Sequence, residues 1–217
     1  LATRDRRWCQ GNLQHAKVIV ARGLKMPSRM HMATGIISYA ASPVWLMFLI
    51  AGLLLALQAR FIRPEYFTEQ FQLFPTWPVI DSERAIGLFM ATMAVLFLPK
   101  LFGLVVALTN RELRKGIGGT VRATLSVLVE SLLAALLAPV MMAIQSAAVV
   151  DILLGRDAGW NPQRRDDGTM PFSEIFRRHR AHTALGLIMG VGAWAVSFQV
   201  LAWLSPAVIG LLLSAPL

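Results

Sequence analysis

Residues 32–59 read MATGIISYAASPVWLMFLIAGLLLALQA, Met32 to Ala59, with no Asp, Glu, Lys or Arg among them. A helix needs roughly 20 apolar residues to cross the hydrocarbon core of a bilayer, so this run is long enough to span it. Pro43 lies inside the run. In a soluble helix a proline there would force a break. In lipid, neighbouring helices can re-satisfy the carbonyl it frees, so a kink is expected instead of an end.

Working outward, the pattern recurs. Arg60 and Arg63 mark an interface, and 60–84 reads as a loop. Its Tyr66, Phe67, Phe71, Phe74 and Trp77, with Pro64, Pro75 and Pro78, suit an extended segment at headgroup level. The run from Ala85 to Thr109 is interrupted only by Pro99-Lys100 and can still span, with Lys100 snorkelling or facing a polar cavity. Asn110 to Arg122 is a short basic loop carrying Gly116, Gly118 and Gly119. Ala123 to Val150 is apolar but holds Glu130, Pro139 and Gln145, and Asp151 to His182 is polar and arginine-rich. From Ala181 to Leu217 there is no charged side chain, more than one crossing requires. Ser205-Pro206 is expected to divide that stretch into a helix of roughly 20 residues and the start of another.

The fold class expected is therefore all-α: a polytopic membrane helix bundle of about four transmembrane helices, the last truncated, with amphipathic cytoplasmic interfacial helices. Composition agrees. Of 217 residues, 56% are apolar and 15% charged, against roughly 45–50% and about 25% in a soluble domain. The net charge of +9 sits between long uncharged runs, which points to lipid headgroups and anionic substrates and away from nucleic acid. A single cysteine excludes a disulfide framework and a cysteine-based zinc site. The four scattered histidines, His15, His31, His179 and His182, read as polar interfacial groups, so no metal ligand set is assigned. The chain opens on Leu1 in a basic polar stretch and stops inside an apolar run, so it reads as an internal or C-terminal piece of something larger.

Charge sets the orientation. Residues 1–31 carry seven basic side chains against one acid, 60–84 three against four, and 110–122 four against one. By the positive-inside rule, 1–31 and 110–122 are cytoplasmic and 60–84 is outside. If 123–150 crosses, the six arginines of 151–182 face outward; if it lies at the surface or is re-entrant, they stay inside. Glu130 and Pro139 both oppose a straight crossing, Glu130 by about 2–3 kcal/mol at hydrocarbon depth. The expectation is an interfacial or re-entrant segment. Gln10 to Arg29 also reads as a surface helix. Leu13, Ala16, Val20 and Leu24 share one face, and Arg22, Lys25 and Arg29 cluster opposite.

The chemistry-bearing string is Arg4-Asp5-Arg6-Arg7-Trp8-Cys9-Gln10-Gly11-Asn12. A guanidinium binds a phosphate oxygen pair bidentately and keeps its charge, while an indole offers a flat apolar face to a sugar ring. The plainer alternative is a juxtamembrane basic cluster on anionic lipid. Arg4-Asp-Arg-Arg7-Trp8 resembles the (Q/R)-x-x-R-W signature of the processive family 2 glycosyltransferases, the group that includes cellulose and hyaluronan synthases. The order of signature, interfacial helix and transmembrane bundle is also similar. Trp160-Asn-Pro-Gln-Arg-Arg-Asp-Asp-Gly168 and Phe172 to His182 resemble a later cytoplasmic loop of one member of that group, while the group's usual loop pattern is not reproduced.

The resemblance implies an inverting hexosyltransferase using UDP-glucose, elongating a β-glucan and passing it through the inner membrane. Trp8 would stack on the acceptor sugar and Arg7 would contact the donor diphosphate. Arg4 would stand as an acceptor contact where Gln is usual. Trp160, Gln163, Arg164 and Arg165 would belong to a loop approaching the donor. No catalytic residue is assigned within the chain, and Mg²⁺ or Mn²⁺ would find its ligands, like the general base, before Leu1. Partners would be UDP-glucose, the glucan chain, membrane lipids and periplasmic glucan-processing proteins, with no nucleic acid. The domain reading is 1–31 as the end of the transferase domain and 32–109 as a transmembrane pair. Cytoplasmic loops at 110–182 carry segment 123–150, and 183–217 completes the bundle. A cellulose- or hyaluronan-like synthase is the alternative within the family. A non-enzymatic transporter or export subunit is the alternative outside it.

Overall fold

The structure is a computed structural model describing residues 2–62, 82–156 and 171–216. Those residues form seven helices and a few short turns: α1 (Ala2–Val18), α2 (Met26–Phe61), α3 (Ser82–Thr109), α4 (Arg111–Gly116), α5 (Thr120–Leu153), α6 (Phe172–Val196) and α7 (Phe198–Leu212). Three of them, α2, α3 and α5, are long and apolar enough to cross a membrane. Pro43, Pro99 and Pro139 each sit inside one of these helices without ending it. The chain divides into two compact units, Leu1–Ile62 with Ala135–Leu217, and Arg63–Ala134.

In the first unit, α1 and α2 run antiparallel. Asn12 lies against Gly35, while Asp5 and Cys9, two turns and one turn back, meet Tyr39 further along α2. The expected amphipathic helix from Gln10 to Arg29 does not form as one element. Gly23 takes φ +89°, a left-handed conformation that L side chains rarely adopt, and Pro27 opens the first turn of α2, where its missing N–H costs nothing. Arg29, expected on an outward basic face, instead donates to the carbonyls of Ile19, Ala21 and Leu24 and ties the turn together.

α6 and α7 form the tightest pair, also antiparallel, with Gly186 against Leu211 and Gly190 against Val208. Leu53 of α2 joins Met189, Ala193, Val208 and Leu211 in the larger buried cluster. The division of the last apolar run corrects the sequence expectation. The break falls at Ser197, whose backbone is extended and whose hydroxyl oxygen accepts from the Val200 N–H, 3.2 Å away, as an N-cap. Pro206 lies within α7. It removes the donor that would have met the Ala202 carbonyl, and the Ser205 hydroxyl donates to that carbonyl instead, at 2.7 Å. At 1.5 Å per residue α7 is about 22 Å long, short of the roughly 30 Å core, while α6 starts back at Phe172 in the arginine-rich stretch and ends at Val196 instead of Ser205.

α5 is likewise continuous from Thr120 to Leu153. The segment 123–150, expected to be interfacial or re-entrant, lies wholly within this helix. In the second unit, Asn110 caps α4 through the N–H groups of Glu112 and Leu113, giving the expected basic loop a short helix. Lys100 of α3 pairs with Glu130 of α5 at 3.2 Å and donates to the Ser131 hydroxyl at 3.4 Å. The expected headgroup-level segment falls largely on 63–81, outside the described residues.

Candidate functional site

The signature lies on α1, and helical spacing divides its residues between two faces. At 3.6 residues per turn, Arg4, Arg7 and Trp8 share one arc of about 100°, while Asp5, Cys9 and Leu13 fall on another. The first face is open: Trp8 is 56% exposed, and the Arg4 guanidinium sits over its ring, 5.0 Å from the centroid. Arg7, one residue before the indole, is half-buried.

The second face is packed. Cys9 is fully buried against Ala148 and Val149 of α5, with Leu13, Tyr39 and Ile152 around them. Burial pushes its thiol up to about 11, Asp5 adding to the rise and Arg6 opposing it. One turn earlier the contacts become polar. The Asp5 carboxylate accepts from the Tyr39 hydroxyl of α2 at 3.1 Å and from the Gln145 amide of α5 at 3.1 Å. The Gln145 carbonyl oxygen in turn accepts from the buried Ser42 hydroxyl at 2.6 Å. Beside this junction Arg6 meets Asp151 at 3.2 Å, and Arg156 meets the same carboxylate at 3.0 Å. The second half of α1 and the end of α5 bound an open cleft of about 500 Å³, lined by Gln10, Leu13, Gln14, Lys17, Ile152 and Arg156.

Of the residues singled out from the sequence, Arg4, Arg7 and Trp8 thus share one side of α1, with Arg4 and Trp8 exposed and Arg7 half-buried. Trp160, Gln163, Arg164 and Arg165 lie outside the described residues, as does Asp166-Asp167. His179 and His182 face each other with ring centroids 5.1 Å apart on α6. Among the described residues no three His, Cys, Asp or Glu side chains are grouped to hold a metal ion. Asp5 is engaged by Tyr39 and Gln145, and Asp151 by two arginines, so the carboxylates beside the signature do not fit a divalent cation. Sequence reasoning missed Tyr39, Ser42 and Gln145 as partners of the signature helix. The only available signal was a Gln in the apolar run 123–150.

Comparison with known proteins decides the relationship. Over all 217 residues the chain is 57% identical to the glucans biosynthesis glucosyltransferase H of Vibrio cholerae and 54% identical to those of Shewanella baltica and Shewanella oneidensis. The chain is homologous to glucans biosynthesis glucosyltransferase H. It spans 30% of the length of these glucosyltransferase H relatives. No family model matches it, and neither does any solved structure. Long apolar helices, an all-helical architecture and a glucosyltransferase relationship therefore stand together: α2, α3 and α5 belong to a segment homologous to part of glucosyltransferase H.

Proposed function

We propose that this chain is the membrane part of a glucosyltransferase that moves glucose from UDP-glucose onto a growing β-glucan and passes the product across the bacterial inner membrane, in the biosynthesis of osmoregulated periplasmic glucans. The observation that carries this reading is the two-sided character of α1. Arg4 and Trp8 are exposed on the side of α1 that also carries the half-buried Arg7, while the opposite face is fixed to α2 and α5. In the transfer, a deprotonated acceptor hydroxyl attacks the anomeric carbon of the donor. The new carbon–oxygen bond forms as the bond to the diphosphate breaks, and UDP leaves with inversion. Arg7 would hold the leaving diphosphate through charge-assisted hydrogen bonds that strengthen as negative charge develops there. Trp8 would stack on the acceptor ring, with Arg4 beside it. The chain supplies no base in this scheme. Mg²⁺ or Mn²⁺, expected for the whole enzyme, would draw its ligands from the part of the relatives that this chain does not cover.

The same contacts support an orientation. Asp5 reaches Gln145, and Arg6 reaches Asp151, so the end of α5 lies level with the signature. A signature on the cytoplasmic side carries 145–156 with it. That supports the interfacial reading of this part of α5 and a cytoplasmic loop following it. The Lys100–Glu130 pair within two apolar helices favours a second reading, a transporter or export subunit, since ionisable groups at such depth often line polar pathways.

Two experiments separate these readings. In the full-length protein, Arg7→Ala and Trp8→Ala are each expected to lower incorporation of labelled glucose from UDP-glucose by at least about 100-fold, with membrane insertion intact. Near-normal synthesis would remove the site assignment. A cysteine at Arg164 is expected to react with an impermeant thiol reagent only from the cytoplasmic side. Reaction from the periplasm would mean that α5 crosses completely.

A further inference from the structure

The polar contacts on the hidden face of α1 are unusual in their surroundings. Only Ser42 of this set is buried, while Asp5, Tyr39 and Gln145 are half-buried, and polar groups withdrawn from water in this way persist when their partners are complete. Here the set forms a chain: the Ser42 hydroxyl donates to Gln145 Oε1, Gln145 Nε2 donates to one Asp5 oxygen, and the Tyr39 hydroxyl donates to the other. It joins three helices that sequence separates by 34 and 140 residues. The neighbouring contact at Cys9 is purely apolar and would hold α1 against α5 with some freedom to slide or turn. Hydrogen bonds are directional, so the Asp5 junction fixes the rotation and the height of α1 as well.

We infer that Asp5 is a positioning residue: by accepting from Tyr39 and Gln145 it sets the angle at which Arg7 and Trp8 are offered to donor and acceptor. The inference rests on the reading of the signature given above. Asp5 stands one residue after Arg4, two before Arg7 and three before Trp8, so any rotation of α1 swings all three together. Without the junction the helix stays attached through Cys9, Leu13 and the Arg6–Asp151 pair, but the link to Tyr39 and Gln145 that sets the register of the signature is lost. Misplacement of this kind, far smaller than unfolding, can cost about 100-fold in rate. The junction also reaches α2 and α5, two helices long enough to cross the bilayer, so the orientation of the signature is set by the membrane helices.

The hydrogen-bond inventory supplies a reciprocal test. In Asp5→Asn combined with Gln145→Glu, the introduced asparagine amide would donate to the introduced carboxylate. The asparagine carbonyl oxygen would still accept from Tyr39, and the carboxylate would still accept from Ser42. All three bonds are regenerated with donor and acceptor exchanged between the two positions. Gln145→Glu alone sets two carboxylates against each other. The full-length protein in membranes, assayed for kcat and for KM toward UDP-glucose with its amount in the membrane measured in parallel, gives the readout. Asp5→Leu and Gln145→Glu are each expected to lower kcat about 10–100-fold with KM within about threefold. The double exchange is expected to return kcat to within about threefold of the original. Wild-type kcat in both single variants would overturn the inference. So would a Gln145→Glu protein that stays impaired after Asp5→Asn is added, and this comparison decides the matter even where Asp5→Leu fails to accumulate. Arg7→Ala and Trp8→Ala run alongside: if they are inactive while the Asp5 and Gln145 variants are normal, positioning fails and the signature stands. If they are active, the signature reading itself fails.

Discussion

Two contacts made by α2 represent opposite solutions to holding helices together. Near its start, Tyr39 and Ser42 meet α1 and α5 through directional hydrogen bonds centred on Asp5 and Gln145. Further along, Leu53 meets α6 and α7 through close packing around Met189, Ala193, Val208 and Leu211. Hydrocarbon gives apolar helices no net hydrophobic reason to associate in a bilayer, so the second contact depends on backbone approach, which small residues permit. Polar contacts give orientation, and packing gives adhesion. The signature is attached to the contact that gives orientation.

The packed region should break most severely where a side chain would meet backbone. A Cβ at Gly210 would fall on the Leu136 carbonyl oxygen and 2.6 Å from Pro139 Cγ. Gly210→Ala is therefore expected to cost about 3 kcal/mol, the upper end for overpacking, because α5 cannot yield as a flexible side chain could. Thermal denaturation of the purified protein in detergent measures it. Gly52→Ala, where nothing lies within 4 Å, is the matched control and should gain up to about 1 kcal/mol from helix propensity. An equal effect at both positions would mean that α5 and α7 are not in contact.

Smaller effects are expected at the two serines that shape α7. Ser205→Ala strips the Ala202 carbonyl of the hydroxyl that stands in for the donor missing at Pro206, a loss of about 1–2 kcal/mol. Ser197→Ala removes an N-cap and should cost about 1 kcal/mol. The same denaturation series ranks them, and the order Gly210, Ser205, Ser197 distinguishes packing from capping as the main source of stability in this pair.

These serines also mark where the sequence misled. Apolar runs located all three long helices, because hydropathy and length are properties of the run itself. Punctuation was harder. Pro206 looked like the stronger break, yet the residue before it repairs the damage, and Ser197 acts through an N–H three residues away. At the other end, the pattern that ran from Gln10 to Arg29 ignored Gly23, whose positive φ ends the continuity. For the candidate site, the string that carries Arg4, Arg7 and Trp8 could be singled out because its residues are neighbours in sequence. Tyr39, Ser42 and Gln145 were not, since pairing across 140 residues leaves no local trace.

The gentlest probe of the comparison is Cys9, which lies on the hidden face of α1 where polar junction and apolar packing meet. It has no exposed surface, and its thiol is pushed up to about 11 from 9.0 because burial disfavours the thiolate, with Asp5 adding to the effect. Only the thiolate reacts, so at pH 8 the native protein should resist maleimide labelling over times in which a denatured sample labels fully. The stability consequence has a definite sign. A folded value above the unfolded one leaves stability flat below pH 9, and the contribution is lost as pH rises toward about 11, where the unfolded thiol has already ionised. Cys9→Ala removes the titration, leaves a small void beside Ala148 and Val149, and should cost only about 1 kcal/mol. If Cys9 labels as fast in the native protein as in the denatured one, α1 is not seated on α5. The polar junction one turn away would then lose the apolar contact that shields it from water.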